Sequence, residues 1–404
     1  MTIKITNNPT ISLFIYWFIL LVWQNLFVYS NTNQFTYLIK LSLIVFLIIS
    51  MGHKKILVNE TKMVIWLVFV LEALYLLFVR DTLSVSNIVY YIFPVVFSLL
   101  IFICNNSTSI SLSEYKRFLF LVVLASLIMA LYALFFQTNQ LLGVFGLSSA
   151  YGYELKSFFI SNHEYGMYLT FGIASTLFLY QEVEKDKRNT LVFIVVISLL
   201  GLNLIATISR TSIVACAVIV IIMLLLTKRT PVKKWFIVGV VILVLLFALS
   251  RSFQQFFQSV VLKGGNDADR FVMWRVSMQE FKESSLIEKL FGHGLGYVTD
   301  FAHQRFMHSS LHNSFVQVLM VWGVIGVIFL IGVILSAIFL SLKTIRINKN
   351  IGSIFLAFAL SAIAFMFTNT ACLLQSPIDS FMLTIFTIVV PRYVMNGLIK
   401  KQKE

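Results

Sequence analysis

FGHGLGYVTDFAHQRFMHSSLHNSFVQVLMVWGVIGVIFLIGVILSAIFL, residues 291–340, decides the class of this protein. The first half is polar and glycine-bearing. The second half, from Phe315 to about Leu340, is a long apolar run. Such a run is long enough to cross a hydrocarbon core of about 30 Å. Four of the six histidines, His293, His303, His308 and His312, fall in the polar half. Imidazole is the side chain that titrates near neutral pH. Proton-transfer chemistry is therefore concentrated on a segment that leads straight into a membrane.

The rest of the chain agrees with that class. Of 404 residues, 59% are hydrophobic and 12% are charged, and the mean hydropathy is +0.91. A soluble domain carries about 25% charged residues. Apolar runs of spanning length recur from end to end and do not alternate in polarity. A transmembrane barrel would need alternating segments of about 10 residues. The expected fold is an all-α polytopic membrane protein forming one membrane domain over 1–404. Cys104, Cys216 and Cys372 form no CxxC pair, so no disulfide framework or cysteine metal site is indicated.

Twelve apolar segments are expected near 11–30, 35–51, 63–79, 85–104, 117–136, 158–180, 191–208, 211–226, 235–250, 313–341, 352–374 and 378–398. The first is read as a retained helix, because it exceeds a signal-peptide core and no small-residue cleavage site follows. The net charge of +14 argues for no nucleic-acid partner, because the excess lies in short loops on one side. Those loops hold Lys54, Lys55 and Lys62, then Lys116 and Arg117, then Lys185, Lys187 and Arg188. Lys228, Arg229, Lys233 and Lys234 follow, with Lys343, Arg346, Lys349 and the tail lysines. By the positive-inside rule, both termini are cytoplasmic and the large loop 251–312 is extracytoplasmic. Lys40 and Glu72 fall inside spans, where a lone charge costs about 2.5–3.5 kcal/mol or more. They are expected to pair or to meet substrate. Only Pro94 plainly interrupts a span.

Several constellations carry chemistry. In Ser161-Asn162-His163 an asparagine sits at a helix start, a good capping position. His163 is either satisfied by its own fold or lines a cavity for a polar substrate. Ser209-Arg210 separates two apolar segments, the second short for a span. Arg210 either snorkels or uses its planar fork and the helix N-terminus to hold phosphate. From Asp269 to Leu290 the apolar residues recur at mostly helical spacing, as in an amphipathic helix on the membrane surface. Trp274 with Arg270 and Arg275 either anchors that helix or contacts a second phosphate. Gly292-His293-Gly294-Leu295-Gly296 lacks the βαβ context of a dinucleotide fingerprint, so its glycines are read as tight backbone turns beside a ligand. His308 and His312 are four apart, which places them on one helix face if that stretch is helical. No HExxH occurs and no cysteine is near, so no metal is assigned. His312, at the mouth of the next helix, is the best-placed general base, or else a helix cap.

These pieces, in this order, resemble the O-antigen ligase and polymerase superfamily of bacterial envelope glycosyltransferases. The resemblance runs through Ser161-Asn162-His163, Ser209-Arg210, Arg270 followed by Trp274-Arg275, the run Phe291 to Gly296, and His312-Asn313-Ser314-Phe315 leading to Gly323 and Gly326. It implies transfer of glycans from a polyprenyl diphosphate to an acceptor hydroxyl at the outer face of the bacterial cytoplasmic membrane, without cofactor or metal and with inversion. It implies His312 as base on the acceptor hydroxyl, with Arg210 and Arg270 holding the departing diphosphate. Asn313, Ser209, Arg275, His163, His308 and His293 are then expected to bind substrate.

The modest outer loop favours a polymerase, joining an undecaprenyl-diphosphate-linked chain to the non-reducing end of a new lipid-linked repeat unit. Its expected partners are the lipid-linked oligosaccharide, membrane lipid and a chain-length regulator. The close rival is a ligase that moves finished polymer to a lipid A core. A transporter or flippase of lipid-linked sugars is the other-class rival. Transporters gather polar residues and broken helices near the midplane, whereas here the polar residues gather at one surface.

Overall fold

A computed structural model of the chain describes residues 60–98, 109–144, 155–157, 159, 161–183, 186–226, 266–308, 310–369, 373 and 383–403. The described residues are helical with turns, and no strand occurs among them. Four helices are long and apolar enough to cross a membrane: α3 (Leu112–Phe136), α6 (Lys187–Ala206), α11 (Ser314–Ile347) and α12 (Lys349–Thr368). Two shorter ones, Asn87–Val96 and α7 (Arg210–Leu226), are also apolar. The expected segments 11–30, 35–51 and 235–250, and with them Lys40, lie outside the described residues. Glu72 makes no ion pair among the described ones. It is 1% exposed.

The chain divides into two compact units, 1–112 with 267–340 and 365–404, and 113–266 with 341–364. In the first, α1 (Glu60–Tyr75) continues through a π-helical turn, Leu76–Arg80, and α2 (Val85–Ser98) runs on through Pro94. Residues 266–306 supply α8 (Asn266–Glu283), α9 (Leu286–Phe291) and α10 (Leu295–Phe306). One amphipathic helix over 269–290 is therefore the wrong reading. Ser285 stops it: its hydroxyl caps α9 at the Glu288 N–H while Glu288 caps back to Ser285. This is a Ser-x-x-Glu capping box, which starts a new helix.

The frame of this unit is a broken helix. Gly323 lies inside α11 with φ +67° and ψ −163°, so the helical ladder is interrupted there. Met320 and Val321 carbonyls accept instead from His293 N–H (2.9 Å) and Gly294 N–H (3.2 Å). The glycine loop thus docks directly on the break. A Cβ on Gly292 would lie 2.1 Å from the Val321 carbonyl oxygen, and one on Gly323 2.4 Å from that of Leu290. Aromatic packing seals the junction: Phe69 of α1 stacks on Trp322 at 5.1 Å and on Phe329 at 3.9 Å, and Tyr91 meets Trp322 edge-on at 5.1 Å.

The second unit is built around α5 (Asn162–Glu182), which is buried along most of its length. Burial on every face places it inside this unit, with its polar side chains Thr170 and Thr176 bonded back to carbonyls of the helix. Gly166 and Gly172 let it close on its neighbours, because a Cβ would reach Ser212 of α7 at 2.4 Å and Ser126 of α3 at 2.4 Å. Small residues at helix contacts are how apolar helices pack without a hydrophobic contrast to lipid. At the far end of α5, Glu182 binds Lys116 (2.9 Å) and Asn350 (2.9 Å). The unit is completed by α4 (Thr138–Val144). The remaining described helix of the first unit, α13 (Val390–Lys403), follows a π-helical turn at Ile385–Val389.

Gly292→Ala and Gly323→Ala should each destabilise the protein by about 1–3 kcal/mol of backbone strain, plus the clash. Nothing lies within 4 Å of a Cβ on Gly201, so Gly201→Ala should be neutral or slightly stabilising. Thermal melts of the three variants in detergent check this; equal Tm values would contradict it.

Candidate active site

The first unit gathers His312, Arg270 and their supports at the end of α12. A helix leaves its last carbonyls without partners. Here three consecutive carbonyls, of Phe367, Thr368 and Asn369, accept from Asn313 Nδ2 (3.0 Å), Arg270 guanidinium (3.4 Å) and Ser314 Oγ (2.8 Å). The loop arginine and the His-Asn-Ser motif are therefore tied to one short stretch of backbone. The cation also sits at the negative end of a helix dipole.

Asn313 is more than a neighbour of the histidine. Its Oδ1 accepts from Phe315 N–H (2.9 Å) and Val316 N–H (3.1 Å), which caps α11. The cap is thus Asn313 and not His312. His312 itself has φ +49°, a left-handed conformation that is uncommon for a residue with a Cβ. Around it, Leu311 donates its N–H to Gln317 Oε1 (3.1 Å) and accepts from the Trp274 indole at its carbonyl (2.9 Å). Trp274 thus reaches the histidine segment.

His308 and His312 do not share a helix, because α10 ends at Phe306 and both histidines lie outside any helix. The left-handed Met307 (φ +59°) ends α10 and turns the chain back. The two imidazoles still meet, edge to face with centroids 5.2 Å apart. Arg270 is half-buried, and this desolvation lowers its pKa from the ordinary guanidinium value. Arg275 and His303 are exposed.

His293 has a different setting. It is 7% exposed, its Nε2 is 2.9 Å from Ser284 Oγ, and its ring stacks on Tyr297 at 4.6 Å. Burial lowers its pKa below the usual imidazole value. The tight glycine turns around it face the chain's own groups. Asp81 accepts from Leu295 N–H (2.9 Å), Gly296 N–H (2.8 Å) and the Tyr91 hydroxyl. A Cβ on Gly296 would lie 2.7 Å from Asp81 Oδ1. A carboxylate at a helix N-terminus is favourable, and this one fills the position where a phosphate could otherwise bind α10. Next to it, Arg80 bridges to Glu288 at 3.2 Å. The Ser285 contacts, ahead of Arg80, hold the Glu288 carboxyl below its usual range.

The second unit joins the other two motifs. His163 Nδ1 lies 2.8 Å from Ser209 Oγ, and Ser209 Oγ lies 2.8 Å from Ser212 Oγ. Asn162 Nδ2 donates to the Thr207 carbonyl at 2.9 Å. The cap of α5 is Ser161, whose hydroxyl accepts from His163 N–H, so Asn162 is freed to cross to the Ser-Arg turn. Ser209 is buried and accepts from Ser212 N–H (3.4 Å) at the start of α7. Arg210 is the first residue of that helix and is half-buried.

Residues 193–331 match the family model for O-antigen ligase. That part of the chain is similar to O-antigen ligase. The match begins in α6 and ends within α11, so it covers Ser209, Arg210, Arg270, the glycine loop and His312 together. The match supports the resemblance of the motifs to that superfamily, whose members are ligase and polymerase enzymes of glycosyltransferase type. The matched stretch includes part of α6 and part of α11, two of the four helices long and apolar enough to cross a membrane. No curated protein matches the chain.

Sequence reading missed Asp81, Tyr91, Gln317 and the carbonyls of 367–369. Only Arg80-Asp81, a charged pair directly after an apolar run, carried a signal that could have been followed.

The loop should respond to pH through two groups. Both folded pKa values are depressed, so each contribution is full above the ordinary value and is lost as pH falls. Protection of the 292–296 amides from hydrogen exchange should drop first below about 6.5, through His293. A second loss should begin below about 4.5, through Glu288. His293→Gln should erase the first step only. An unchanged two-step profile in that variant would exclude His293 as its source.

Proposed function

We propose that this protein is a polysaccharide polymerase that works at the outer face of the bacterial cytoplasmic membrane. The observation that carries the reading is the tethering of Arg270 and of Asn313, the residue next to His312, to one backbone segment, Phe367–Asn369. This supplies a base and a fixed cation from one framework.

In the proposed reaction, His312 takes the proton of a hydroxyl at the non-reducing end of a lipid-linked repeat unit. The hydroxyl oxygen attacks the anomeric carbon of the growing chain, and the bond from that carbon to the undecaprenyl diphosphate breaks. Attack from the opposite face inverts the centre. Negative charge builds on the leaving diphosphate, and a preorganised guanidinium stabilises it more in the transition state than in the ground state. Arg270 fills that role. Arg210 is assigned as a second arginine for the diphosphate on its sequence motif alone. His308, beside His312, and Arg275 are assigned to substrate contact. The termini are assigned to the cytoplasm by the lysine and arginine pattern.

The ligase reading stays second, because the matched family is described as O-antigen ligase. A gel of lipid-linked and surface glycans from cells lacking the gene separates the two. A polymerase deletion leaves single repeat units. A ligase deletion leaves long polymer on its polyprenyl carrier.

In a membrane transfer assay, His312→Ala should lower the rate by about 10²–10⁴-fold at unchanged protein level. Arg270→Lys and Arg210→Lys should each be strongly impaired, because an ammonium lacks the planar fork. Near-normal polymer from His312→Ala would exclude the base assignment.

A further inference from the structure

The left-handed backbone of His312 has to be held from outside, because a histidine at positive φ is a minority conformer of the free chain. Strain of this kind persists only where the surroundings over-determine it. The two flanking residues meet that requirement. On one side, both backbone groups of Leu311 are fixed, the N–H by Gln317 Oε1 at 3.1 Å and the carbonyl by the Trp274 indole at 2.9 Å. On the other side, both ends of the Asn313 amide are fixed, by the α11 N-terminus and by the Phe367 carbonyl.

The supports come from different elements. Gln317 is on the first turn of α11, 7% exposed, and Leu311 is fully buried. Trp274 is on α8, one turn after Arg270. Residues four apart share a helix face, so one face of α8 carries both the diphosphate cation of the proposed reaction and the indole that fixes the Leu311 carbonyl.

We infer that Trp274 and Gln317 are positioning residues for His312, and that α8 couples the placement of the base to that of Arg270. This rests on the reading of His312 as the base. The two residues touch the histidine's neighbour through single hydrogen bonds, so removing either donor or acceptor misplaces the imidazole without removing it. Catalysis is sensitive to displacements of about 1 Å, which cost on the order of a hundredfold in rate.

The test uses the full-length protein in native membranes or nanodiscs, with the lipid-linked repeat unit as substrate. Trp274→Phe keeps an aromatic ring and loses the N–H. Gln317→Met keeps the length and loses the acceptor, whereas Gln317→Glu restores an acceptor oxygen. Trp274→Phe and Gln317→Met should lower kcat by about ten- to a hundredfold with KM within about threefold, since a misplaced base affects the transition state and not ground-state binding. Gln317→Glu should recover most of the kcat lost in Gln317→Met. Full kcat in Trp274→Phe and Gln317→Met, with His312→Ala inactive, would overturn the positioning role and leave the base reading intact. Activity retained in His312→Ala would overturn both. A loss in Gln317→Met that Gln317→Glu does not rescue, or a loss expressed in KM alone, would also overturn the positioning role.

Discussion

One interruption of helical hydrogen bonding organises the first unit. At Gly323 the ladder of α11 opens, and backbone groups that a continuous helix would satisfy internally need partners elsewhere. The glycine loop provides them by donating the N–H groups of His293 and Gly294 to Met320 and Val321. Only residues without a Cβ permit this approach at Gly292 and Gly323. The loop is consequently seated on α11 by main-chain bonds, which side-chain changes at its surface leave untouched. Asp81 then clamps the next helix of the loop by its N-terminus, and Arg80 holds the helix before it.

Helix ends recur as the sites of assembly. The free carbonyls of α12 accept from Arg270, Asn313 and Ser314. The free N–H groups of α10 are taken by Asp81, those of α11 by Asn313, and those of α7 by Ser209. Backbone polar groups that lack an intrahelical partner must be satisfied, and in an apolar surrounding the cost of failure is high. The polar residues that read as a chemical motif in the sequence thus have a structural duty first. Asn313 and Ser209 spend their side chains mainly on it. His312 is placed by its neighbours, and Arg270 carries a delocalised cation on a single backbone contact among the described residues.

The helical class was legible because apolar runs of spanning length are a direct physical requirement of a bilayer. The start of α7 at Arg210 and of α11 after His312-Asn313 was legible from polar residues at the edge of apolar runs. The Ser285 capping box was also present in the sequence, as Ser-x-x-Glu, but the regular spacing of apolar residues across 269–290 outweighed it. The pairing of His163 with Ser209 was hidden because the two motifs are 46 residues apart, and only the close approach of α5 to α7 at Gly166 joins them.

By itself, the sequence determined the all-α membrane class, the approximate ends of the long helices and the short list of histidines and arginines able to do chemistry. These follow from local composition and from the length of chain a bilayer demands. Tertiary structure decided which of those residues share a framework, that the glycine motif faces Asp81 and a broken helix, and that His312 adopts a left-handed backbone. Those outcomes depend on hydrogen-bond partners tens to hundreds of residues away, and no local pattern of residues encodes which distant carbonyl or carboxylate will arrive.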